Sequence, residues 1–166
     1  MTSDRMVFIE TVHVPGIKGI LEEWQAGHPK MGILALMPEA EQGNIPALQA
    51  IFREKGIPLA GGVFPGLLAD GRFYDSGVVL LRFDEMPFCA LYRDLNAPSP
   101  RNPVDDMAEA IRANLDEGRD TTLLMIFDAM VPNIATILDD LYLKLADRVH
   151  YMGVNAGSET FKPIPC

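Results

Sequence analysis

At 166 residues the chain has the length of one domain, and 48% hydrophobic against 22% charged residues supply a core, which excludes disorder along its whole length. Its 23 acidic and 14 basic residues leave a formal net charge of −9, and with no basic cluster such a surface repels phosphate backbones, so nucleic acid is not an expected partner. No apolar run reaches the roughly 18 residues that span a bilayer, and Thr2-Ser-Asp-Arg5 is not the basic start of a secretion signal, so the expectation is a soluble, cytoplasmic chain with no membrane partner.

Residues 7–12 read as a strand, and from Ile17 the apolar positions Ile17, Ile20, Leu21 and Trp24 recur at helical spacing until Gly27-His-Pro-Lys30 breaks the pattern. Ile33 to Met37 is an apolar run short enough for a buried strand. Asn44 then stands as the N-cap of a helix with Ile45, Leu48, Ile51 and Phe52 on one face, stopped at Gly56. Residues 57–60 lead into a glycine loop, Gly61 to Gly66.

Residues 78–83 and 88–94 flank the turn Asp84-Glu-Met-Pro87 and predict an antiparallel hairpin, with Cys89 as an inert, partly buried thiol. After a proline-rich connector, Asn102 caps a helix with Pro103 in its first position, Asp105 in its first turn and Met107, Ile111 and Leu115 as its buried stripe; Gly118 ends it. Residues 121–127 form a further apolar strand. Asn133 opens a helix with Ile134, Ile137, Leu138, Leu141 and Leu145 inward, and 149–152 form a strand leading into the loop 153–158.

The steps Asn44-Ile45 and Asn133-Ile134, each between a strand and a glycine loop, give the two halves a common plan. The expected fold is α/β. It is a single domain over 1–166 with a mixed sheet built from two pseudo-repeated β-α-β units plus a central antiparallel hairpin, and helices packed on the sheet. Strands near 33–37, 57–60, 121–127 and 149–153 are expected to share that sheet with the hairpin 74–95.

In an open α/β sheet, ligands bind beyond the carboxyl ends of the strands, where glycine lets backbone amides approach a ligand. Gly61, Gly62, Phe64, Gly66, Asp128, Asn155, Gly157 and Ser158 are therefore the expected ligand-binding residues of one cleft. Gly66 is followed by Leu67-Leu68 rather than the Lys-Ser/Thr of a nucleotide-binding loop, and no helix follows directly as a dinucleotide fold requires. His13, His28 and His150 lie far apart with no metal-ligand spacing, so no metal and no cofactor are expected. A haem needs only one histidine on an apolar wall, and that variant stays open. Asp128, with Glu39, Glu41 or Glu159 in the same crevice, would serve a small hydrolase or transferase. There is no nucleophile elbow and no Cys–His pair to support it, so catalytic residues are not expected.

Residues 57–66, the following Asp70 to Leu81, and the later Tyr151 to Pro163 resemble, in order, the N-terminal part of the FIST sensory family. The resemblance implies an intracellular sensory module of a prokaryotic signal-transduction protein that binds a small ligand such as an amino acid; some members bind haem and sense nitric oxide. It also implies a C-terminal FIST half or an output module as partner. Phe161 and Ile164 read as the start of an unfinished strand, so the chain is expected to be part of a longer protein, with a second copy of itself as another candidate partner over the exposed edge.

Overall fold

The computed structural model describes residues 2–93, 95, 101–116, 118–128 and 130–160. They form a mixed α/β structure in two compact units, one taking the chain as far as Cys89 and again from Ala156, the other Ala90–Asn155. No helix among the described residues is long and apolar enough to cross a membrane.

The first unit is built on a sheet of five strands, β1 (Thr2–Ser3), β2 (Met6–Ile9), β3 (Gly32–Pro38), β4 (Leu59–Phe64) and β7 (Val78–Phe83), in the order β1-β2-β7-β3-β4. All neighbours are antiparallel except β3 and β4, which run parallel from Ile33↔Leu59 to Pro38↔Phe64. That pair is parallel because a helix, α2 (Ile45–Lys55), carries the chain back between them. Gly56 closes α2 with φ 65°, the left-handed conformation a glycine adopts without strain, and the Ile57 amide reaches back to the Phe52 carbonyl at 2.9 Å.

The core lies on one face of this sheet. Ile33, Ala35 and Met37 of β3 and Val78 and Leu80 of β7 alternate inward, as a period of two requires. They meet Ile17, Leu21 and Trp24 of α1 (Val14–Gly27) and Leu48, Ile51 and Phe52 of α2. Each large side chain fully buried here contributes roughly 1.5–3 kcal/mol. The two helices are tied to each other at their exposed edges by Lys18–Glu54 at 2.7 Å and Lys55–Glu22 at 2.8 Å.

The predicted hairpin 78–83/88–94 does not form. Both edges of β7 are occupied, by β2 and by β3, and the described residues from 84 to 93 carry no strand. Cys89 is accordingly exposed rather than partly buried in a strand, although desolvation still pushes its thiol pKa up. The hairpin of this region is instead β5 (Leu67–Ala69) with β6 (Arg72–Tyr74), turned at Asp70-Gly71, where φ is 50° and 71°. Two consecutive positive φ values are what a two-residue hairpin turn demands, and Asp-Gly supplies them.

The second unit contains α3 (Pro103–Ala113), β8 (Thr122–Asp128), α4 (Ile134–Leu145) and most of β9 (His150–Ala156). Val104, Met107 and Ala108 of α3 pack with Leu141 and Leu145 of α4, and Leu123, Met125 and Tyr151 of the strands close over them. The single shared sheet is corrected here: β8 and β9 form a sheet of their own, because each finds its partner across α4 rather than on β3 or β4.

The three asparagine positions also separate. Asn102 caps α3 as expected, its Oδ1 accepting from the Val104 amide at 3.0 Å. Asn44 and Asn133 stand at the N-cap position without a side-chain cap bond. At Asn44 a 3-10 turn over Glu39–Asn44 precedes the helix, and the side chain turns to Glu41; Asn133 instead holds a left-handed φ of 62°.

Candidate functional site

The parallel strands β3 and β4 end side by side, at Pro38 and Phe64; in open α/β sheets ligands bind beyond such carboxyl ends. The predicted glycine loop 61–66 is for the most part strand. Gly61, Gly62 and Phe64 belong to β4, and only Pro65 and Gly66 make the bend. Gly61 is glycine for a backbone reason, since a Cβ there would run into the Ala35 carbonyl oxygen of β3. Phe64 is buried, and Gly66 lies under the ring of Phe73, where a Cβ would collide.

The later glycine segment is likewise strand up to Ala156, so Asn155 is an exposed residue of β9. Beyond it the chain belongs to the first unit, and Gly157 donates its amide to the Val63 carbonyl at 2.8 Å. Ser158, almost fully buried, donates its hydroxyl to Glu39 Oε1 at 2.8 Å and accepts from the Thr160 amide at 3.0 Å. The other oxygen of Glu39 accepts the Glu159 amide at 2.9 Å. Glu41 is occupied by the Gly77 amide at 3.0 Å and by Asn44. These two carboxylates therefore act as acceptors that fasten loops.

Thus Gly61, Gly62, Phe64, Gly66, Gly157 and Ser158 are carried by the first unit, whereas Asp128 and Asn155 are carried by the second. Asp128 closes its own turn, its Oδ1 accepting the Met130 amide at 2.8 Å. His28 faces Asp84, Nδ1 to Oδ1 3.3 Å, and His13 and His150 are exposed.

Between β4 and α2 lies a pocket of about 380 Å³. Ala35, Met37, Leu48, Phe52, Ile57 and Val63 give it an apolar floor. The backbone of Ala60 to Gly62 forms one wall, and Gln49 and Arg53, both exposed on α2, form the rim. Sequence reasoning found Gly61 and Gly62 but missed Gln49 and Arg53. The signal was present: they stand four residues apart on α2, each directly after a core residue, Leu48 and Phe52. In the second unit a pocket of about 410 Å³ lies between α3 and α4, but its charges answer one another, Lys144 pairing with Asp105 and Arg112 donating to the Lys144 carbonyl.

A parallel strand pair joined by a helix, with three more strands in the same sheet and a further helix packed on it, defines a mixed α/β architecture. The FIST N domain matches residues 30–163, and the chain belongs to that family, which is associated with sensory function in signal transduction. No curated protein and no solved structure matches the chain.

Proposed function

We propose that this chain is the small-ligand-binding sensory domain of a prokaryotic signal-transduction protein, acting in the cytoplasm and reporting occupancy to an output module or a C-terminal FIST half, and that it is not an enzyme. The observation that carries this reading is the pocket beside Gly61 and Gly62. Its volume of about 380 Å³ lies within the roughly 300–1,000 Å³ of small-molecule sites, and it joins an apolar floor to a few polar groups at the rim. The acceptor roles of Glu39 and Glu41, and the turn made by Asp128, favour binding over hydrolysis.

The reading is tested by screening amino acids, organic acids and nucleotides for thermal stabilisation, and following hits by amide chemical shifts. A hit should move the Gly61 and Gly62 amides. Hydrolysis of an ester or amide panel that disappears in Asp128→Asn would replace this reading with the enzymatic one.

A further inference from the structure

The pocket's charge pattern speaks to the kind of molecule it would take, an inference that rests on the ligand-binding reading above. Along the exposed end of α2, Glu54 is engaged by Lys18 and Lys55 by Glu22. Arg53, the residue before Glu54, has no ion pair or side-chain hydrogen bond among the described residues, and it lines the pocket one helical turn after Gln49. Two amide or guanidinium groups one helical turn apart can hold both oxygens of a carboxylate, the guanidinium through paired N–H donors. Below them the floor is apolar: Met37, Leu48, Phe52 and Val63 are all buried and offer no hydrogen bond from their side chains.

What the described lining lacks matters equally. No aspartate or glutamate lines the pocket among the described residues, so nothing there neutralises an ammonium group. An ammonium held near Arg53 would meet a like charge instead. An α-amino acid would thus bring one charge that the rim satisfies and a second that it opposes.

We infer that the ligand is an apolar monocarboxylate without an amino group, its chain on the Met37–Leu48–Phe52–Val63 floor and its carboxylate on Arg53 and Gln49. Arg53 near the C-terminal end of α2 also complements the helix dipole, a role that would influence stability and leave ligand choice untouched.

The experiment uses the full chain and three matched probes: octanoate, octanamide and 2-aminooctanoate. Affinity is read by calorimetry and location by the Gly61 and Gly62 amide shifts. Octanoate is expected to bind at these amides, with octanamide and 2-aminooctanoate each about tenfold weaker or more, the range that a charge-assisted hydrogen bond supplies. Arg53→Gln should bring octanoate down to the level of octanamide and leave octanamide unchanged. Gln49→Glu, also at an exposed position, should weaken octanoate and leave octanamide unchanged. Equal or tighter binding of 2-aminooctanoate at the same amides overturns the inference and leaves the ligand-binding reading standing. So does a different class of compound from the screen displacing all three probes' effects at Gly61 and Gly62. Octanoate affinity that is indifferent to Arg53→Gln also overturns it. If neither these probes nor any compound in the screen binds, both readings fall.

Discussion

Glu39 and Ser158 stand 119 positions apart in the chain, and their side chains meet at 2.8 Å. The carboxylate projects just beyond β3, and its second oxygen takes the Glu159 amide, so one side chain holds two consecutive residues of the returning segment. The Gly157 amide on the Val63 carbonyl adds a third bond at the end of β4. The ends of the parallel pair are thereby closed by residues distant in sequence.

Removing that carboxylate should loosen the segment locally. Glu39→Ala deletes two bonds to a charged acceptor and leaves the buried Ser158 hydroxyl with Thr160 alone. A cost of about 2 kcal/mol is expected. Amide exchange at Gly157 and Glu159 should accelerate about thirtyfold while the amides of β3 keep their protection. Glu39→Gln should fall between, since its amide NH₂ cannot accept from the Glu159 amide. Unchanged exchange in Glu39→Ala would show that the segment is held by other contacts.

Two glycines give opposite expectations for one chemical change. At Gly61 a Cβ meets the Ala35 carbonyl oxygen, a backbone atom fixed in the parallel ladder, so Gly61→Ala should destabilise by roughly 1–3 kcal/mol. Gly19 is exposed inside α1 with open space where a Cβ would go, so Gly19→Ala should stabilise by roughly 0.5–1 kcal/mol. Urea midpoints measured on both variants check the pair.

The elements were legible where apolar periodicity is long and locally consistent. The stripe Ile17, Leu21, Trp24 and the runs 33–37 and 78–83 appear as core in the structure because a period of 3.6 or 2 leaves one face to bury. Strand partners were not legible. Residues 88–94 have the composition of a strand, but β7 has no free edge to give them, and edge occupancy is a property of the whole sheet. The Asp70-Gly71 turn was a stronger hairpin signal than Asp84 to Pro87, because it meets a specific φ requirement. At the candidate site, Gly61 and Gly62 stood out by residue type, whereas Gln49 and Arg53 are ordinary exposed helix residues until the pocket is seen beneath them.

Arg82 offers a test of a buried charge. It is 5% exposed, lies with its guanidinium 5.7 Å from the Trp24 ring centroid, and has a buried Nε with no hydrogen-bond partner among the described residues. Its ion pair is Asp84, at 3.2 Å, which Arg5 and His28 also approach. Asp84→Ala should cost about 1–3 kcal/mol, less than for a fully buried pair because Asp84 is partly exposed. Arg82→Met should stay within about 1 kcal/mol of the parent, since it removes an unsatisfied donor along with the charge. Fluorescence of Trp24, the one tryptophan of the chain, reports both unfolding transitions. A larger loss in Arg82→Met than in Asp84→Ala would refute this ranking.

The pairs between α1 and α2 set a pH dependence. Lys55 holds the Glu22 carboxyl below its ordinary pKa through a hydrogen bond and its charge, and Lys18 does the same for Glu54. A carboxyl lowered in the folded state binds fewer protons there than in the unfolded chain, whose glutamates titrate near about 4.3. The stability it confers is therefore complete above that value and is lost as the pH falls through the lowered folded value. Both carboxyls are solvent-exposed, so added salt should shrink the effect. The comparison is the change in urea midpoint between neutral pH and about pH 3, for the parent and for Lys18→Met/Lys55→Met. The parent should lose more, because in the variant both glutamates recover their ordinary titration and drop out of the difference, while the remaining carboxylates contribute to both proteins alike. Reversing one pair, with Lys18→Glu and Glu54→Lys together, should restore part of the acid sensitivity. Parallel pH profiles for parent and double variant would mean that the two bridges hold no differential free energy in solution.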